Sequence, residues 1–285
     1  MILGGAQLAV GAAAIFARYA LAGAPPLAVA AARLCIAAAI LLIVALLHRT
    51  RETPTRSHRI ALWIAGVALA IHFATWIASL EYTTVAISTL LVAVTPFWTA
   101  LYDALVLRRR YPIAVPLAFI SGIAGLALVV SGAHSPPPQP GHAALGAILA
   151  LAGSAAFAVY LILVRDVRAQ LGTRTIITIT YSAAAIVLVL AAAVGHQAPP
   201  SLHAYAAWGG IVGMALISQL LGHTGMNAAL RWFSPSAVSF TNLIEPVIAA
   251  LLAFWIFGET LSGLAVVGAC VLLSSIGAVL WIAPD

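Results

Sequence analysis

Long runs of apolar residues, separated by short polar breaks, follow one another along the whole chain. The hydrocarbon core of a bilayer is about 30 Å thick, and a helix needs about 20 apolar residues to cross it. The breaks between the runs are rich in proline and serine, which is typical of turns. The pattern predicts ten membrane-spanning helices, at residues 2–21, 27–47, 60–80, 84–107, 113–131, 143–164, 175–194, 204–229, 236–257 and 262–282.

The composition fits lipid as the solvent of the chain. Hydrophobic residues make up 64% and charged residues 7% of its 285 positions, and the mean hydropathy is +1.11. A soluble protein cannot hide that much apolar surface, because its own surface must be wetted. We therefore predict an all-α, multi-pass protein of the inner (plasma) membrane. The high isoelectric point does not indicate nucleic-acid binding, since the basic residues form no face with interleaved aromatics.

The arginines predict the orientation in the membrane. When the breaks are numbered from a cytoplasmic N-terminus, the even breaks hold all but two of the thirteen arginines and the odd breaks hold none. Positive charge in short loops marks the cytoplasmic side, so both termini are predicted to be cytoplasmic. The two exceptions, Arg18 and Arg33, lie inside spans. Arg18 also argues against a cleaved signal peptide, because it interrupts the necessary apolar region.

A weak internal duplication divides the chain. Two pairs of segments match, residues 5–19 with 146–160 and residues 81–110 with 231–260. The second match sets Pro96 on Pro246, each in the middle of a span, and we expect both to act as hinges. Since each half has an odd number of spans, the halves must be inverted in the membrane. The sequence predicts two inverted five-helix repeats, residues 1–132 and 142–285, with a binding site between them.

A loose set of motifs covers the chain: Pro26, Arg33, Pro96, Gly122, Gly125, Pro246 and Gly258-Glu259. With an aromatic first helix, they resemble the ten-helix, EamA-type members of the drug/metabolite transporter superfamily. The Gly-Glu ending is absent from the first half, where arginines replace it. The resemblance implies a transporter of small metabolites without a cofactor. The aromatic and polar content is similar to that of the YddG-type amino-acid exporters, although no motif specifies that substrate.

Ionisable and polar groups inside spans are candidate sites, because burying them in a membrane is costly. Glu245 precedes Pro246, and Asn242 lies one turn earlier. The Glu245 carboxyl either binds a substrate amine or a proton, or is hydrogen-bonded to a helix backbone group that the proline frees. Gln219, His223 and Asn227 form one polar stripe on span eight. This stripe lines a central cavity or joins helices.

Aromatic residues near these polar positions either line the cavity or pack within the bundle. His72 and Trp76 are one turn apart in span three, as are Trp98 and Tyr102 in span four. Tyr160 ends a similar pair in span six. Arg33 is expected to pair with Glu245 or Asp103, and Asp103 is interpreted mainly as a partner of Arg108.

These patterns favour a secondary transporter that exports aromatic or large apolar amino acids. Transport of another class of small molecule, such as nucleosides, sugars or drugs, stays open, as does the oligomeric state. A membrane enzyme is disfavoured by the lack of a catalytic motif, and a channel by the lack of a selectivity filter. The predicted substrate-binding residues are His72, Trp76, Trp98, Tyr102, Tyr160, His223, Asn227, Asn242 and Glu245.

Overall fold

The structure, a computed structural model, describes residues 2–48, 52–108, 110–132, 142–229 and 244–282. All regular structure within these ranges is helical. The helices are α1 (Ile2–Gly11), α2 (Ala13–Leu21), α3 (Pro26–Leu47), α4 (Arg56–Tyr82), α5 (Val85–Val92), α6 (Thr95–Leu105), α7 (Ala114–Ser131), α8 (Ala143–Arg168), α9 (Thr173–Val194), α10 (Tyr205–Gly213), a π segment (Met214–His223), α11 (Thr224–Ala229), α12 (Ile244–Phe257) and α13 (Gly263–Ile282).

Helices of membrane-crossing length and composition dominate the described residues, which confirms a multi-pass, all-helical membrane protein. Six stretches qualify in full: Pro26–Leu47, Arg56–Tyr82, Val85–Leu105, Ala143–Arg168, Thr173–Val194 and Tyr205–Ala229. Ala114–Val129, Ile244–Phe257 and Gly263–Ala278 are shorter apolar helices. The total of ten spans and the side of the termini stay predictions.

The bundle is built with large apolar side chains outside and polar groups inside. Leu46, Val194 and Trp281 are each more than three-quarters exposed, whereas Arg33 and Gln219 are fully buried. This distribution suits lipid, which takes up apolar surface as readily as a protein interior does.

Small residues allow the central helices to pack closely. Helix α4 packs along α8 and α9, α3 packs along α9, and α7 packs along α13. At Gly66 in α4, an added Cβ atom would lie 2.5 Å from the Ala183 Cβ atom of α9. At Gly125 in α7, it would lie 2.7 Å from the Leu272 backbone nitrogen of α13. The glycines of the predicted fifth span therefore serve helix contact.

The predicted fourth span is interrupted beside Pro96. Helix α5 ends at Val92 and α6 begins at Thr95, which places the proline in the first turn of α6, where its missing N–H group costs least. In a continuous helix, residue 96 would donate to the Val92 carbonyl oxygen. That oxygen instead accepts from the Thr95 hydroxyl at 2.9 Å and from the Ser154 hydroxyl of α8 at 3.0 Å. The break is thus satisfied by side chains.

The predicted eighth span is continuous but changes its winding. Its middle, Met214–His223, is a π-helix in which backbone groups bond five residues apart, and the Thr224 N–H group donates to the Gln219 carbonyl. π-Helical segments are rare and occur frequently at functional sites. Gln219 and His223 both lie in this segment, and Asn227 follows in α11.

Candidate functional site

Among the charged side chains that the structure describes, Arg33 is the most deeply buried, with no exposed surface. Its Nη2 atom donates to the Gln219 Oε1 atom at 2.7 Å. Its guanidinium carbon lies 4.0 Å from the centroid of the Phe73 ring and 5.8 Å from that of Trp76, so one face of the group rests on aromatic surface. Helices α3 and α4 and the π segment together hold this cation.

The Arg33 guanidinium is only partly satisfied. Within the described chain, its Nε and Nη1 atoms are buried without a hydrogen-bond partner. The Glu245 carboxyl, one partner considered from the sequence, does not form an ion pair with it within 4.0 Å. Asp103, the other partner considered from the sequence, instead pairs with Arg165 of α8 at 3.4 Å and accepts from the Tyr111 hydroxyl at 3.4 Å.

Aromatic rings surround His223 beside the buried arginine. Its ring meets the Phe73 ring edge-on at 5.7 Å between centroids and the Phe157 ring at 5.9 Å. Edge-to-face contacts of this kind are favourable for aromatic rings. His223 is 9% exposed, and Gln219 and Asn227 are buried as well, so the polar stripe of span eight faces the bundle interior.

His72 and Trp76 are joined to α8. The His72 Nδ1 atom hydrogen-bonds the Gly153 carbonyl oxygen at 2.9 Å, with the nitrogen donating. The His72 ring lies 4.8 Å from the Phe157 ring and stacks at 6.3 Å on the Trp76 ring. Because its Nδ1 atom is occupied by backbone, His72 acts first as a support for these rings.

Asn227 and Tyr160 form a second polar group toward the end of α8. The Asn227 Nδ2 atom lies 3.4 Å from the Tyr160 hydroxyl and donates to the His223 carbonyl oxygen at 3.0 Å. The Asn227 Oδ1 atom accepts from Arg168 at 3.3 Å, and the backbone carbonyl oxygen of Asn227 accepts from the same guanidinium. Both ends of the Asn227 amide therefore already have partners in the protein.

The structure describes three of the four remaining predicted site residues. Glu245 is the second residue of α12 and is half-buried. Trp98, on α6, is 37% exposed, and neither it nor Tyr102 makes a ring contact or side-chain hydrogen bond with the cluster in the part of the chain that the structure describes. Asn242 lies outside the described residues. Within those residues, no three His, Cys, Asp or Glu side chains come together in a way that could hold a metal ion.

Comparison with known proteins supplies the family. The model of the EamA-like transporter family matches two segments of the chain, residues 1–131 and 144–281. The chain belongs to this family. No curated protein matches it. Among solved structures, one crystal structure aligns over 97% of this EamA-like chain and 94% of its own, with 17% identity and a TM-score of 0.67. At that identity the likeness shows the fold alone.

An ion pair joins distant parts of this EamA-like chain at one end of the bundle. Arg18 of α2 contacts the Glu259 carboxylate at 2.8 Å and donates to the Thr83 carbonyl oxygen at 3.1 Å. The other Glu259 oxygen accepts from the Val85 N–H group at 2.8 Å. Burial raises the pKa of the Glu259 carboxyl, which lies in the turn after α12, and the Arg18 charge opposes that rise.

Three important contacts escaped sequence reasoning. The pairing of Arg33 with Gln219, the Phe73 ring beneath the guanidinium and the Phe157 ring beside His223 all join different helices. One signal was available, since an arginine inside an apolar span needs a partner. The EamA-like family itself was indicated by the sequence motifs and is confirmed.

Proposed function

We propose that this protein is a secondary transporter that exports aromatic or large apolar amino acids across the inner membrane by alternating access. The observation that supports it best is the buried cluster in which Arg33 and His223 lie among the rings of Phe73, Trp76 and Phe157. Sites for small molecules are mostly apolar with a few polar groups that fix orientation. A zwitterion with an aromatic side chain matches both properties.

Each predicted site residue has a part in this proposal. Glu245 faces the substrate ammonium, and His223, Asn227 and Asn242 hydrogen-bond the carboxylate. Trp76, supported by His72, contacts the substrate side chain together with Trp98, Tyr102 and Tyr160. Stacked and edge-on aromatic pairs contribute about 0.5–1.5 kcal/mol each beyond their buried area.

Alternating access further requires contacts that close either end of the site. In the proposed topology of two inverted five-helix repeats, Arg18–Glu259 joins the first helix of one repeat to the fourth of the other on the outer side. Asp103–Arg165 joins the corresponding helices on the cytoplasmic side, at 3.4 Å. Pro96 and Pro246 serve as hinges. Reporters fused at residue 54 and at residue 138 should read cytoplasmic and periplasmic, and the same side for both contradicts this topology.

The transport proposal is tested with purified protein in proteoliposomes. Counterflow of labelled phenylalanine into vesicles loaded with unlabelled phenylalanine is expected, because a carrier exchanges substrate across its two states and a channel does not. Glu245→Gln should reduce this exchange; unchanged exchange would make the carboxylate structural. Exchange of nucleosides or sugars, with no amino acid moved, would keep the carrier and replace the substrate class.

A further inference from the structure

The Arg33 side chain has more hydrogen-bonding capacity than its surroundings use. A guanidinium only donates hydrogen bonds and stays charged in proteins. One nitrogen is used by Gln219, while Nε and Nη1 are buried and unpartnered among the described residues. A buried charge is normally paired and hydrogen-bonded, since burial without partners is costly.

Among the residues that the structure describes, Gln219 alone accepts a hydrogen bond from Arg33. Phe73 covers one face of the group, and Gln219 supplies a single acceptor oxygen. Glu245 forms no ion pair with the guanidinium within 4.0 Å. The missing partner is therefore an acceptor that approaches the Nε and Nη1 atoms, and a carboxylate suits a guanidinium best because its two oxygens accept from two donors.

We propose that Arg33, oriented by Gln219 and Phe73, is the carboxylate-binding residue of the transport site. This inference rests on the proposed function and changes one of its assignments. Asn227 does not bind the substrate carboxylate, because both ends of its side-chain amide already bond to Arg168, Tyr160 and the backbone. Its role is to position His223, whose carbonyl oxygen it binds.

The charges of Arg33 and Glu245 also predict the selectivity. The proposed site assigns a positive charge to Arg33 and a negative charge to Glu245, and the two side chains form no ion pair within 4.0 Å. A zwitterion placed between them satisfies both, whereas a simple amine or a simple carboxylate satisfies one. Phenylalanine should therefore bind more tightly than 3-phenylpropionate, which lacks the ammonium, and than 2-phenylethylamine, which lacks the carboxylate.

The assignment is tested by measuring the binding of these three probes to the purified full chain with titration calorimetry. Arg33→Gln should weaken phenylalanine and 3-phenylpropionate by roughly 10- to 100-fold, the range for a lost charge-assisted contact, and leave 2-phenylethylamine unchanged. Arg174→Gln is the matched control, since Arg174 is exposed and donates to a loop carbonyl, that of His48, at 3.2 Å. Equal weakening of all three probes, or unchanged binding of phenylalanine, would overturn the proposal.

Gln219→Glu provides a second variant that does not remove the buried charge. It places a carboxylate of the protein on Arg33, so it should raise the thermal midpoint and compete with substrate carboxylates. Carboxylate binding that survives this change would also contradict the assignment.

The two proposals fail in different ways. If the wild type binds no amino acid, the proposed substrate class is wrong, and a panel of aliphatic carboxylates then tests Arg33 directly. If a neutral nucleoside or sugar is the only ligand and Arg33→Gln leaves its binding unchanged, the carboxylate site is wrong while a carrier remains. If phenylalanine binds equally to wild type and Arg33→Gln, only the Arg33 assignment fails.

Discussion

Two arginines lie inside apolar helices of this protein, and their surroundings differ. Arg18, near the end of α2, meets the Glu259 carboxylate at 2.8 Å and a backbone carbonyl at 3.1 Å. Arg33, in the first half of α3, has one amide acceptor and no ion pair within the described residues. A neutralised charge stabilises the contact between its helices, whereas an unneutralised one is retained at a cost. In the proposed mechanism, Arg18 therefore stabilises the closed outer end of the bundle, and Arg33 binds a ligand.

The largest effect should follow from removing Arg18. Arg18→Met leaves the Glu259 carboxylate, 12% exposed, without its counter-ion, and breaking a buried pair in this way costs about 3 kcal/mol. Thermal unfolding of purified protein should show a clearly lower midpoint. The double variant Arg18→Met/Glu259→Leu should recover much of the loss, since no charge is then left unpaired. A double variant no better than the single one would mean that Arg18 acts through packing.

Arg33→Met should have a much smaller effect on stability. The variant removes an unpaired buried charge, which is favourable, but leaves the Gln219 oxygen without its donor, which is unfavourable. The two effects offset each other, and the free energy of unfolding should change by less than about 1 kcal/mol or rise. Phenylalanine binding should be lost in the same preparation. A loss of stability as large as that of Arg18→Met would remove the distinction between the two arginines.

The sequence located the helices better than the partners of their polar groups. Predicted spans 27–47 and 175–194 became Pro26–Leu47 and Thr173–Val194, because an apolar run of membrane length leaves little choice. The span predicted at 60–80 extends to Arg56–Tyr82, since a helix continues into polar water-facing turns that hydropathy does not count. The π winding has no local signal that we recognise in the residues.

The partner of Arg33 shows why the site was harder to predict. Its sequence pattern offered carboxylates, Glu245 or Asp103, because opposite charge is the usual choice. Which side chain meets the guanidinium depends on the rotation and depth of helices far apart in the chain, and this geometry selected the amide of Gln219. Trp98 and Tyr102 were predicted beside the site from their helical spacing just after Pro96, and their contact with a substrate stays a prediction.

The pH dependence of the free energy of unfolding is a milder test of the Arg18–Glu259 pair. Because burial raises the pKa of this carboxyl above its usual 4.5, the folded protein holds the proton more tightly than the unfolded chain. The contribution of Glu259 to stability is therefore fully present below the unfolded-state pKa of 4.5 and is lost as the pH rises through the raised pKa of the folded state. The stability difference between wild type and Glu259→Gln should fall with rising pH. A difference that grows with pH would show that the ion pair outweighs burial.

In an Arg18→Met background the same carboxyl loses the charge that opposes the rise of its pKa. The pH range over which stability is lost should then move upward. Arg33→Met is the control, because its side chain lies among a different set of contacts, and it should leave this range in place.

The smallest effect concerns neutral groups at the helix break beside Pro96. The Val92 carbonyl that Pro96 leaves without a donor receives the Thr95 and Ser154 hydroxyls. Ser154→Ala should cost about 1 kcal/mol, the usual net value of one hydrogen bond. In a Pro96→Ala background residue 96 regains its N–H group, so the cost of Ser154→Ala should shrink. If this break is a hinge, Pro96→Ala should slow phenylalanine counterflow more than it weakens phenylalanine binding; equal losses in both would make the break a fixed part of the scaffold.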